Sequence, residues 1–166
     1  GVSFRKSVID LFTLTNTGGW QSGWIDITSD APGLIGSAEI QAFEGRALTA
    51  VPLQPVGNSK FVFPHVAQGD GFSTGLAVVN SGDQAAQYTV ELRKSDSQLA
   101  GSIGPATLAP GNRLVGIISE LFPSSGEVVG GTLKILSDQP LTGIELFYTD
   151  DLQVLSAVPA QAIDPE

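Results

Sequence analysis

The side chains able to do chemistry are few in this chain. It has one histidine, His65, and no cysteine. Thiolate nucleophiles, disulfides, cysteine-ligated metals and multi-histidine sites are therefore excluded. As a general base His65 would need a partnered nucleophile, and no Gly-x-Ser-x-Gly motif occurs. Its expected role is a packed or surface histidine. Two carboxylates, Glu39 and Glu145, stand in related strands and would suit glycoside hydrolysis if those strands approached each other. Each lies between apolar neighbours, which fits a strand side chain facing water and no catalysis.

Asp70, Asp83, Asp150 and Asp151 fall in loops, where oxygen ligands for a structural calcium could gather. The Asp-x-Asn-x-Asp-Gly loop pattern is missing, and Gly69-Asp70-Gly71 and Asp150-Asp151 read better as turns held by Asp side chains. The stretch Gly69–Phe72 lacks the length and the lysine of a phosphate cradle. Trp20 and Trp24 are the two tryptophans. An exposed Trp24 could stack on a sugar ring or mark a protein contact, and packing against a neighbouring sheet is the favoured role. A ligand would be sought at Trp24, Asp70, Asp83, Asp150 and Asp151. No residue is assigned to catalysis or to a metal, and no cofactor is implied.

The elements that would position these residues are read from composition and period. Of 166 residues 42% are hydrophobic, enough for a core. There are 17 acidic residues against 8 basic, a formal charge of -9, which argues against nucleic acid and against an anionic membrane surface. No apolar run approaches the roughly 18 residues of a membrane-spanning helix. Methionine is absent even at position 1, so the chain is expected to be a piece of a longer protein.

Apolar residues alternate with period two between Gly, Pro, Asn, Asp and Ser. Strands are expected at Ser3–Ile9, Trp24–Thr28, Ala38–Phe43, Ala47–Val51, Lys60–Phe63, Phe72–Val79, Tyr88–Arg93, Leu99–Ile103, Arg113–Ser119, Gly130–Leu136, Gly143–Tyr148 and Leu152–Val158. Asn80–Gln84 and Ala109–Asn112 read as turns. Ser119–Phe122 reads as one helical turn stopped by Pro123.

Part of the chain repeats. Gly23–Pro32 aligns with Gly131–Pro140 at an offset of 108, with Ile25 on Leu133, Ile27 on Ile135, and Ser-Asp-x-Pro in both. Leu48–Gln54 aligns with Leu155–Gln161 at 107, and Val8–Phe12 with Ile118–Phe122 at 110. Between these blocks a one-residue shift is preferred that sets Glu39 on Glu145. It keeps Ala38, Ile40 and Ala42 on the same face as Ile144, Leu146 and Tyr148. Residues 1–54 then form a half-repeat equivalent to 111–161 and pack into the same sandwich or belong to a neighbouring one. Residues 55–161 form a complete repeat, and 162–166 a tail.

The run Phe63-Pro64-His65-Val66-Ala67 followed by Gly71–Asn80 resembles the opening of repeat modules in bacterial secreted or cell-surface proteins. The later Leu108-Ala109-Pro110-Gly111, Leu121-Phe122-Pro123, Ser137–Pro140 and Gly143–Leu146 continue that resemblance. It covers residues 61–161 and, through the second half of the module, residues 4–54, and it carries no catalytic residues. Such modules are similar to immunoglobulin-like or fibronectin-like β-sandwiches in tandem. The resemblance implies an all-β, immunoglobulin-like antiparallel β-sandwich with an internal duplication. It also implies a non-catalytic structural or adhesive module of an exported multidomain protein, at the cell surface or outside the cell. Its partners would be neighbouring domains of the parent chain and an extracellular protein or glycan, with no nucleic acid and no membrane insertion. The alternatives are a carbohydrate-binding module and, behind it, a glycan-acting hydrolase.

Overall fold

The computed structural model describes residues 3–12, 23–41, 47–54 and 57–163. Trp20 and Phe43 lie outside the described residues. The period-two runs fold as β1 (Ser37–Gln41), β2 (Leu48–Pro52), β3 (Asn58–Gln68), β4 (Phe72–Val79), β5 (Ala86–Arg93), β6 (Leu99–Leu108), β7 (Arg113–Ile117), β8 (Val128–Thr149), β9 (Leu155–Pro159) and β10 (Gln161–Ala162). Two short helices, α1 (Val8–Phe12) and α2 (Ile118–Leu121), punctuate them.

β1 and β2 form a hairpin of their own, and the other eight strands form one antiparallel network. β8 organises that network. It is 22 residues long and serves two ladders. Its first part lies between β3 and β5, and Thr142–Thr149 lies beside β4. β9 pairs along the opposite edge of that second part. β6 extends from β5, β10 from β3 and β7 from β4. The outcome is two layers, β6-β5-β8-β3-β10 and β7-β4-β8-β9, in an all-β, sandwich-like arrangement sharing one strand. Their inner faces meet at Gly143, where a Cβ would stand 3.1 Å from the Phe63 ring and 3.3 Å from the Phe61 ring. Only glycine lets the aromatic rings approach the strand so closely.

Alternation builds the core. β5 buries Ala86, Tyr88, Val90 and Leu92, and β4 buries Thr74, Leu76 and Val78. Phe61, Phe63, Leu133, Ile135 and Leu141 are fully buried, with Ile118 and Phe122 closing one side. Phe61 and Phe63 meet edge to face at 5.8 Å, each side chain contributing about 2–3 kcal/mol by burial.

Four sequence expectations are corrected. Gly130–Leu136 and Gly143–Tyr148 are parts of one strand, with no turn at Ser137–Pro140. Pro140 is tolerated because β8 changes partners there, so its missing N–H interrupts no ladder. The Asp138 carboxylate accepts from Gln87 N–H at 2.8 Å. Ser3–Ile9 is not a strand. Ser7 caps α1, its hydroxyl accepting from Asp10 N–H at 3.1 Å. Trp24–Thr28 has strand-like residues but no ladder, because a strand exists only through a paired neighbour. The preferred one-residue shift fails as well. The β1–β2 hairpin pairs Ser37 with Pro52, and β8–β9 pairs Ile144 with Pro159, so both strands carry one offset of 107. Ala38, not Glu39, then takes the place of Glu145, and every side chain of β1 changes face relative to the shifted alignment.

The helical turn expected at Ser119–Phe122 is present as α2, closed by Phe122 N–H on Ile118 C=O at 2.8 Å. Ala109–Asn112 turns as expected, with Asn112 N–H on Ala109 C=O at 3.0 Å. The β1–β2 hairpin hangs on the edge of the second layer. Thr49 Oγ1 accepts from Ala157 N–H at 3.0 Å, and Gln54 donates to Gly143 C=O at 2.7 Å.

Candidate functional site

The five candidate ligand residues separate into two ends of the molecule. Asp70 sits at the β3–β4 turn with φ +52°, between Gly69 and Gly71, in the left-handed region that Asp tolerates. The β8–β9 turn lies beside it. Asp150 N–H donates to Gly71 C=O at 3.0 Å, and the Asp150 carboxylate accepts from Ser73 Oγ at 3.2 Å. The Asp151 carboxylate accepts from Gln153 N–H at 3.1 Å. Asp151 closes an Asx turn, Asp150 ties the two turns together, and Asp70 occupies the left-handed turn position. Among the described residues no three His, Asp or Glu side chains converge to hold a metal ion.

Asp83 belongs to the opposite end, in the exposed β4–β5 turn. The organiser there is Asn80, a residue the sequence reading treated only as a turn former. It is fully buried. Its amide donates to Gln84 C=O at 2.7 Å and Leu108 C=O at 2.8 Å, and its Oδ1 accepts from Gly82 N–H at 3.0 Å. Its backbone pairs with Gly111 and Asn112. Trp24 reaches the same end, its indole N–H donating to Gly111 C=O at 3.2 Å. That bond fastens the N-terminal segment to the Ala109–Asn112 turn. His65 packs edge to face on Phe147 at 5.1 Å.

The two glutamates part company. Glu39 is exposed and pairs with Arg5 at 2.6 Å. Glu145, expected to face water, is fully buried, and neither carboxylate oxygen has a hydrogen-bond partner. Leu76 and Val158 stand beside it on the adjacent strands. Neither β4 nor β9 carries a titratable residue. Burial pushes its carboxyl up from 4.5 to about 8, so it is protonated at neutral pH. The sequence carried one signal for this placement. Leu141, Gly143, Glu145 and Phe147 share one face of β8, and the flanking Ile144 and Leu146 disguised which face was the inner one.

Glu145 therefore lies inside the hydrophobic core, apart from both ends of the molecule. Neither carboxylate oxygen has a hydrogen-bonded partner beside it, so ionising the group in place would cost stability. An open depression of about 280 Å³ between the β3–β4 turn and α2 is lined by Gln68, Ser119, Phe122 and Glu127.

No family model and no curated protein matches this sequence. Among solved structures, the crystal structure of Thermotoga maritima 1070 is similar to this chain, with a TM-score of 0.54 and 16% identity. The match covers 66% of this chain and 98% of that one. At such identity the likeness shows the β-rich architecture alone.

Proposed function

We propose that this chain is a non-catalytic, immunoglobulin-like repeat module of an exported multidomain protein, working at the cell surface or outside the cell. Its role is structural or adhesive. It holds neighbouring domains in place and presents its two end-loop clusters, around Asp70–Asp150 and around Asp83–Trp24, to an extracellular protein or glycan. The observation that carries this reading is how the reactive side chains are used. The aspartates Asp70, Asp150 and Asp151 are built into turns, Trp24 is a fastening, and the buried Glu145 has no partner to work with.

Local likenesses between the two parts support the repeat. α1 and α2 stand at aligned positions, and the two hairpins share one register. Ser29 accepts from Ala31 N–H at 3.2 Å just as Ser137 accepts from Gln139 N–H at 3.3 Å. Residues 1–54 are read as the second half of one repeat and 55–161 as a complete one. The acidic surface favours solubility and repels like-charged surfaces.

The test is a panel of chromogenic glycoside and ester substrates offered to the 166-residue chain. No turnover is expected. Turnover that disappears in Glu145→Gln would make the chain an enzyme and end the proposal.

A further inference from the structure

The apolar residues of the first part raise a question that its likeness to the second part answers. Val8 is 47% exposed, whereas its aligned partner Ile118 is 0% exposed. Ile27 is 50% exposed against 0% for Ile135, and Leu34 53% against 0% for Leu141. Phe12 and Ile25 are likewise exposed while Phe122 and Leu133 are buried. These exposed side chains are therefore a core pattern without its cover, beyond the scattered apolar residues normal on a surface.

The second part identifies the cover. Leu133 and Ile135 lie in β8 between β3 and β5, opposite Phe63 and Phe61 on one side and Leu92 and Val90 on the other. Those two strands, with β6 on the outer edge, come from Asn58–Leu108. The corresponding segment Trp24–Thr28 has the same residue pattern and no ladder among the described residues.

We infer that residues 3–12 and 23–35 form a docking face for a β-sheet unit built like this chain's own Asn58–Leu108, preceding them in the same order. That unit would add strands to both edges of Trp24–Thr28 and close a second sandwich over Val8, Phe12, Ile25, Ile27 and Leu34. A second copy of the chain cannot supply the unit without uncovering its own Leu133 and Ile135. The inference rests on the repeat reading above. It stands or falls separately from the non-catalytic reading, because substrate turnover and closure of a second sandwich are measured independently.

The test compares the 166-residue chain with an extended chain carrying a second copy of residues 55–110 ahead of Gly1. Amide hydrogen exchange across 23–35 is expected to slow by about a hundredfold or more in the extended chain. An extended chain that does not fold, or whose added copy and residues 23–35 exchange freely, overturns the inference. A second measurement uses the original chain alone. Ile27→Asp should leave its melting temperature within about 2 °C of wild type, whereas Ile135→Asp should prevent folding. If Ile27→Asp also unfolds the original chain, the face is already covered and the inference is wrong.

Discussion

Glu145 makes the stability of this protein depend on pH in a direction opposite to that of most paired carboxylates. The carboxyl is sealed in the core without a partner, and burial raises its pKa from 4.5 to about 8. Below pH 4.5 the group carries its proton in both folded and unfolded chains, so it adds no pH dependence. Between pH 4.5 and 8 the unfolded chain has released the proton and the folded chain keeps it. The folded state then binds more protons, and stability falls as pH rises, by about 1.4 kcal/mol per pH unit. Above pH 8 both states are ionised and the fall ends. Over the whole window the loss comes to about 5 kcal/mol, a large share of the roughly 5–15 kcal/mol that stabilises a domain.

Urea unfolding followed by far-ultraviolet circular dichroism at pH 5 and pH 8 measures it. With a slope of about 1.5 kcal/mol per molar urea, the midpoint should drop by about 2 M between those pH values, because the group is part-way through its titration at both ends. Glu145→Gln cannot ionise, so its midpoint should lose most of that drop, although its amide still lacks partners. Glu145→Leu removes the buried polar group altogether and should be the most stable form at pH 8. The many surface carboxylates act alike in wild type and variants, so the difference between them isolates Glu145. If Glu145→Gln keeps the wild-type dependence on pH, or if wild type shows none, the carboxyl has a partner or access to water and the reasoning fails.

Three further outcomes follow from the packing. Asn80→Ala should cost about 3 kcal/mol, because Gln84 C=O and Leu108 C=O lose their donor, read as a lowered urea midpoint at constant slope. Gly131→Ala should destabilise by about 1–3 kcal/mol, since a Cβ would collide with Val128 Cγ1 and stand 2.5 Å from the Arg93 carbonyl oxygen, and a variant as stable as wild type would show that β8 can move aside. Millimolar calcium should leave the melting temperature unchanged within about 1 °C, because the Asp70 and Asp150 turns are held by protein hydrogen bonds, and a clear rise would reveal a cation site at that end.

Local pattern was enough for much of the architecture. The alternation in Phe72–Val79 and Tyr88–Arg93, the Ala109–Asn112 turn and the helical turn before Pro123 depend on neighbours within a few residues. The excess of acidic over basic residues, the single histidine and the absence of cysteine narrowed the chemistry in the same way.

Partners distant in sequence decided the rest. Trp24–Thr28 and Thr132–Leu136 have similar residues, yet only the second is a strand, because β3 and β5 flank it. Ser137–Pro140 looks like a turn and is instead where one strand passes between ladders. Ala38, rather than Glu39, matches Glu145 because two hairpins hold one register. Glu145 lies between two apolar residues, a sequence that suits either face of a strand equally. Its burial was set by the layer that closes over β8, since strand pairing and facing sheets, not local preference, decide which side of a β-strand is kept from water.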